Sequence, residues 1–310
     1  MKRPNLGASV RQRLLNLSNQ HKWDFNRLLV RYGVERFLRR LSESPHADRF
    51  LLKGAMLFTV WEGSPHRATR DLDLLGLLPS PLEELRTIFG EVVATPIEPD
   101  GLEFGEVRAE PIRATMEAGG IRALVDAELA GARIHLQIDV GFGDAVTPRP
   151  VTVEFPGLLD FPRARLRAYP PETVIAEKLE AMVRLDAANS RLKDFFDLWH
   201  LSRTMAFDGT ILTAAVVATF SARRTETPLE RITAFGPKFS EDTSKRRQWE
   251  AFLRQSVLKE GIQFGEVVND IRIFLEPIVA AAAGKKPAPG RWSPGAGWSP
   301  ISLSMSEPLS

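Results

Sequence analysis

The chain has 310 residues, 44% of them hydrophobic and 26% charged, a balance that excludes both an intrinsically disordered protein and a membrane-embedded one. It contains no cysteine, which removes disulfides, thiolate nucleophiles and sulfur-ligated zinc or iron together, so any metal must sit on oxygen or imidazole. The formal net charge is only +2, yet residues 1–40 hold ten Lys and Arg against two acids, Asp24 and Glu35. That local excess of +8 points to an anionic partner. No apolar stretch follows the basic N-terminus as in a signal peptide. The most apolar windows, Ile211 to Phe220 and Ile278 to Ala283, fall far short of the ~20 residues a membrane span needs. A cytoplasmic protein with no membrane partner is expected.

In chain order, apolar residues at three- and four-residue spacing from Leu14 to Leu41 predict two helices. Arg49 to Leu52 reads as a strand that stops at Lys53-Gly54, and Ala55 to Trp61 as a helix closed by Gly63-Ser64-Pro65. After a polar loop, Asp71-Leu72-Asp73-Leu74-Leu75-Gly76 alternates acids and leucines at period two, a strand with carboxylates on one face. A helix over Leu82 to Val92 follows. Val107 to Thr115, Ile121 to Leu129 and Arg133 to Val140 then alternate as strands of an antiparallel meander, separated by Gly119-Gly120 and Gly131. Val151 to Phe155 and Arg165 to Ala168 are further short strands.

Beyond Tyr169-Pro170-Pro171 the pattern is helical: Pro171 to Leu185, Ser190 to Thr204, Thr210 to Ala222, Ser244 to Leu258 and Phe264 to Ala283. From Gly284 the composition falls to Gly, Pro, Ser and two Trp-Ser-Pro units, which reads as a disordered tail. The organisation expected is therefore basic N-terminal helices over 1–45, a mixed α/β core over 46–169, a helical domain over 170–283 and a tail over 284–310.

The chemistry lies in the acids. Residues i and i+2 of a strand project from the same face about 6.6–7 Å apart, so Asp71 and Asp73 aim two anions into one volume. Keeping both ionised in a partly buried place calls for a cation, and hard oxygen donors select Mg²⁺ or Mn²⁺. Asp139, at the end of the strand Arg133 to Val140, is the candidate third ligand. Three such acids can hold two metal ions ~3.5–4 Å apart, the arrangement of phosphoryl and nucleotidyl transfer. Lys53-Gly54-Ala55 adds a glycine turn opening a helix, which offers backbone N–H groups to a triphosphate. Each element alone is weak, since an Asp-x-Asp on a strand is more often a solvated face. Their ordered combination is harder to obtain by chance.

In that combination the sequence resembles the nucleotidyltransferase superfamily with the polymerase-beta-like fold. More narrowly it resembles the AbiEii/AbiGii (MenT-like) toxins of type IV toxin–antitoxin systems. The narrower likeness rests on Lys53 to Leu57, on Arg67 to Leu74, on Glu177-Lys178-Leu179 and on Arg191 to Leu198, and spans roughly residues 30–205. It implies a mixed sheet with flanking helices followed by a helical C-terminal region. It also implies active-site roles for Lys178 and for Asp194 or Asp197. A lysine near a triphosphate neutralises charge developing on the leaving group, while Asp194, which shares one helix face with Asp197 three residues on, is suited to orient Lys178 or an attacking hydroxyl. Asp197 is equally suited to a structural pairing with Arg191 or with an arginine elsewhere. Arg67 and Thr69, just before the acid pair, are candidate phosphate contacts.

The activity expected is metal-dependent transfer of a nucleotidyl group from an NTP to an acceptor hydroxyl, with release of pyrophosphate. The resemblance implies RNA as acceptor, at the 3′ end of tRNA, together with a cognate antitoxin and inhibition of translation and growth. The basic N-terminal helices then serve as RNA contacts, since phosphate contacts supply most sequence-independent affinity. Two alternatives remain: a small molecule or protein hydroxyl as acceptor on the same fold, and a noncatalytic RNA- or protein-binding module.

Overall fold

The computed structural model describes residues 5–63, 71–112, 119–228, 232–256 and 261–300. The chain folds as two units, Met1–Asp144 with Pro150–Tyr169, and Ala145–Arg149 with Pro170–Ser310.

The first unit opens with α1 (Leu6–His21) and α2 (Phe25–Glu43). The Asn5 side chain accepts from the Ala8 N–H, and that of Asp24 from the Arg27 N–H, so each helix begins on a side-chain cap. There follow β1 (Phe50–Lys53), α3 (Met56–Glu62), β2 (Asp71–Gly76), α4 (Leu82–Ala94), β3 (Glu103–Ile112), β4 (Gly120–Leu129), β5 (Ala132–Phe142), β6 (Val151–Glu154) and β7 (Arg165–Ala168). These strands form one seven-stranded mixed sheet in the order β3-β4-β5-β2-β1-β7-β6. β2 runs parallel to β5 and β1 parallel to β7, and the other neighbours are antiparallel.

Alternation along the strands divides this sheet into two chemical faces. Leu72, Leu74, Ala123, Val125, Ile134, Leu136, Ile138 and Val140 are buried on one. There α2 lies so close that a Cβ on Gly33 would sit 2.9 Å from Leu136 and 3.2 Å from Ile134. The glycine costs about 1 kcal/mol of helix propensity, and a larger residue would press on the ends of the Leu136 and Ile134 side chains. The opposite face carries Asp71, Asp73, Gln137, Asp139 and Arg122.

Three of the five arginines of α2, at the C-terminal end of the basic segment, are engaged within the first unit. Arg36 and Arg40 are only 3% and 9% exposed. Arg40 forks onto Asp100 at 2.7 and 3.3 Å, Arg36 donates to the Pro162 carbonyl at 2.9 Å, and Arg39 pairs with Glu43 and Glu98. Arg36, Arg39 and Arg40 are thus matched inside the unit by Glu43, Glu98 and Asp100, pairings that composition alone did not reveal.

The second unit is helical: α5 (Pro171–Leu185), α6 (Leu192–Thr204), α7 (Gly209–Ala222), α8 (Pro237–Ser240), α9 (Thr243–Gln255) and α10 (Phe264–Ala282). Phe195, Phe196, Phe239, Trp249 and Phe264 pack ring on ring at its centre, Trp249 and Phe264 with centroids 5.1 Å apart. The described part of the tail departs from expectation, and residues 301–310 lie outside the described residues. Residues 291–299 form the hairpin β9 (Arg291–Ser293) and β10 (Gly297–Ser299), with β9 also pairing β8 (Phe207–Asp208). The Trp292 indole donates to the Ser202 carbonyl at 2.7 Å, and that of Trp298 to the Phe274 carbonyl at 2.9 Å. Two indoles bury enough apolar area, with their N–H groups satisfied, to order a segment whose composition otherwise reads as disordered.

Candidate active site

The acids of β2 and β5 meet because the strands pair in parallel register. Asp71 lies opposite Gln137, and Asp73 opposite Asp139. Residues in register on adjacent strands share a face, so the third acid stands beside the pair although it lies more than sixty residues later. On the other flank Lys53 is in register with Asp73. On the far side of β5, Arg122 is in register with Asp139, and Glu110 with Arg122. Five strands therefore carry one charged row, Lys53, Asp73, Asp139, Arg122, Glu110.

Gly54 follows Lys53 with φ +72°, and an added Cβ would fall 2.0 Å from Asp73 Oδ2. The position needs glycine twice, for the left-handed backbone and for the approach to Asp73. Ala55 is the N-cap of the seven-residue α3. Lys53 is buried, its ammonium 2.6 Å from Asp144 Oδ2 and 3.4 Å from the Tyr169 hydroxyl. Arg67 and Thr69 lie outside the described residues.

Asp71 is exposed, and Asp73 and Asp139 are half-buried. Both Asp139 oxygens accept from Arg122, Nε to Oδ1 at 2.8 Å and Nη2 to Oδ2 at 2.9 Å, and Gln137 Nε2 stands 3.4 Å from each. The bond to Asp139 raises the guanidinium pKa above its ordinary value, against a partial loss of hydration. Among the described residues no three His, Asp or Glu side chains are grouped to hold a metal ion. The donor set is all oxygen and so suits a hard cation, but Asp139 is turned to Arg122.

In the second unit α5 and α6 bring together the other predicted residues. Lys178 Nζ lies 2.8 Å from Asp194 Oδ1 and 2.8 Å from Asp197 Oδ2. Arg191 Nε lies 2.6 Å from Asp194 Oδ2. The two aspartates are 1% and 0% exposed. Burial alone would raise the Asp194 carboxyl; Lys178 and Arg191 together outweigh it and hold the group below the usual carboxylate range.

The sequence reading missed Arg122, Asp144 and Tyr169. Arg122 had a usable signal. Ala130 and Gly131, both with positive φ, form a two-residue hairpin turn. Counting seven residues back from Leu129 and seven on from Ala132 puts Arg122 against Asp139. Asp144 and Tyr169 stand in connecting segments that no periodicity marks.

A glycine bend against a strand-borne acid pair, with a third acid in register, defines the class of strand-scaffolded nucleotidyltransferases to which the sequence was likened. The sequence profile described as "Nucleotidyl transferase AbiEii toxin, Type IV TA system" matches residues 36–270, and the chain belongs to that family. No curated protein gives a significant match. Among solved structures, JHP933 from Helicobacter pylori has 15% sequence identity and a TM-score of 0.45, covering 81% of this chain and 88% of its own. A second H. pylori protein, described as a candidate nucleotidyltransferase, has 15% identity and a TM-score of 0.44, covering 81% and 91%.

Proposed function

We propose that this toxin-family protein transfers a nucleotidyl group from an NTP to a hydroxyl of RNA, at the tRNA 3′ end, releasing pyrophosphate and thereby halting translation and growth until a cognate antitoxin intervenes. The observation that carries the reading is the register of Asp73 with Asp139 and Lys53, with Gly54 closed against Asp73, in a chain belonging to a nucleotidyltransferase family. Asp71 and Asp73 are the residues to hold a Mg²⁺ or Mn²⁺ ion, with Asp139 the third acid of the site. When bound, such an ion supplies Lewis-acid polarisation of the phosphate and a counter-charge for the leaving group.

The chain's own groups do the rest. The bare backbone at Lys53-Gly54-Ala55 admits the triphosphate closely, because no side chain projects from Gly54. Lys53, anchored by Asp144, keeps positive charge beside the acid row, and Arg67 and Thr69 are kept as phosphate contacts. In-line attack by the acceptor oxygen on the α-phosphate forms the new P–O bond as the bond to pyrophosphate breaks, and the acceptor's proton passes to a carboxylate of the row or to water. Roles for Lys178, Asp194 and Asp197 in the same reaction rest on the family resemblance and on the fitness of an ammonium to stabilise triphosphate charge. RNA as acceptor and the antitoxin as partner rest on the resemblance as well, and a cytoplasmic setting follows from them. No helix among the described residues is long and apolar enough to cross a membrane.

The test is incubation of the protein with each labelled NTP, Mg²⁺ and total cellular RNA, followed by separation of RNA, protein and small molecules. Label in RNA supports the proposal. Label confined to protein or small molecules would move the acceptor, and no label in any fraction would refute the reading.

A further inference from the structure

The charged row holds one cation that no part of the reaction yet uses. Arg122 grips Asp139 through two parallel N–H···O bonds of 2.8 and 2.9 Å, the planar fork that matches guanidinium to carboxylate. Gln137 adds a further amide contact to each oxygen. An acid so enclosed by donors is poorly disposed to ligate a metal. A guanidinium has five N–H donors, of which this grip uses two. The Arg122 side chain remains 33% exposed, on the face that carries Asp71 and Asp73 and one strand beyond Asp139 in the row that reaches Asp73.

We infer that Arg122 binds phosphate oxygens of the triphosphate substrate, and that Asp139 is the positioning residue that holds the guanidinium in place and not a metal ligand. The cation-binding pair is then Asp71 with Asp73 alone. The positive charge beyond Asp139 in the row comes from an arginine fixed by its neighbour strand. A guanidinium already tethered at two points loses little rotational freedom on meeting an anion, which suits it to read a polyphosphate. The inference rests on the nucleotidyl-transfer reading and sharpens it, since it reassigns one of the three acids.

The test uses two probes on the full chain: inorganic tripolyphosphate without divalent ions, and Mn²⁺ without nucleotide, each titrated calorimetrically. Circular dichroism checks the fold of every variant. Arg122→Gln and Asp139→Asn should each weaken tripolyphosphate binding about tenfold, and the double variant should lose little more, because the two side chains act as one unit. Neither should change Mn²⁺ affinity, whereas Asp73→Asn should lose it. Arg122→Lys, which keeps the charge without the fork, should recover part of the loss. Loss of Mn²⁺ binding in Asp139→Asn, or unchanged tripolyphosphate affinity in Arg122→Gln, overturns the inference. Should Arg122→Gln be silent while Asp71→Asn still abolishes NTP incorporation, the inference falls and the nucleotidyl-transfer reading stands. A native chain that binds neither probe refutes both.

Discussion

Gly54 is where backbone and chemistry constrain each other most tightly. Any other residue there must hold a left-handed φ of +72° and drive its Cβ into Asp73. Gly54→Ala should therefore destabilise the protein by about 1–3 kcal/mol and lower incorporation further than that loss explains, because Asp73 must shift. Urea unfolding alongside rate measurement separates the two effects. Wild-type stability in the variant would contradict the close approach. A second residue-scale prediction concerns Glu35, enclosed by α2 and the Leu158 N–H. Burial pushes its carboxyl from an ordinary 4.5 up to about 7, against the lowering effects of Leu158, Arg31 and Arg36. The folded state thus binds this proton more tightly than the unfolded chain. The resulting stability is present in full below about pH 4.5 and is lost as pH rises toward 7. Glu35→Gln should flatten that slope, by about 3 kcal/mol between pH 4.5 and 8. Unfolding curves of equal slope in the two proteins would contradict it.

Among the elements, those that position the proposed site were legible and those that stabilise it from a distance were less so. The alternation Asp71 to Gly76 predicted a strand with one acidic face, and β2 is that strand. The meander predicted over the next three strands is β3-β4-β5. Alternation cannot say which strands become neighbours, so the parallel pairing of β2 with β5, which aligns Asp73 with Asp139, emerged only with the sheet. The two Trp-Ser-Pro units misled for a related reason, because composition averages over a window while burial is decided by single indoles. Trp292, 7% exposed and bonded to the Ser202 carbonyl, should cost about 3–5 kcal/mol when cut to alanine. Thermal unfolding of Trp292→Ala gives the number, and a shift below about 1 kcal/mol would return the segment to a loosely held tail.

At the scale of the whole molecule, a local charge excess does not say which of its cations face outward. The basic N-terminal segment reads as a nucleic-acid contact, and within it Arg36 and Arg40 are core residues of the first unit, matched to Asp100. Removing one partner of such a pair strands a buried charge. Arg40→Ala should therefore cost about 3–5 kcal/mol of stability and leave the salt dependence of RNA binding unchanged in whatever fraction stays folded. A reduced salt slope with intact stability would restore the surface role. The family assignment, by contrast, was readable from four short segments, since each carries chemistry at fixed spacing and none depends on overall composition. The claim that binds these scales together is that the acids of β2 perform nucleotidyl transfer. Its most direct test is transfer of label from an α-labelled NTP to RNA in Mg²⁺, comparing the native chain with Asp71→Asn at equal folded concentration. The account predicts labelled RNA with the native chain and a loss on the order of 1,000-fold or more in the variant. Equal labelling by the two proteins would contradict it.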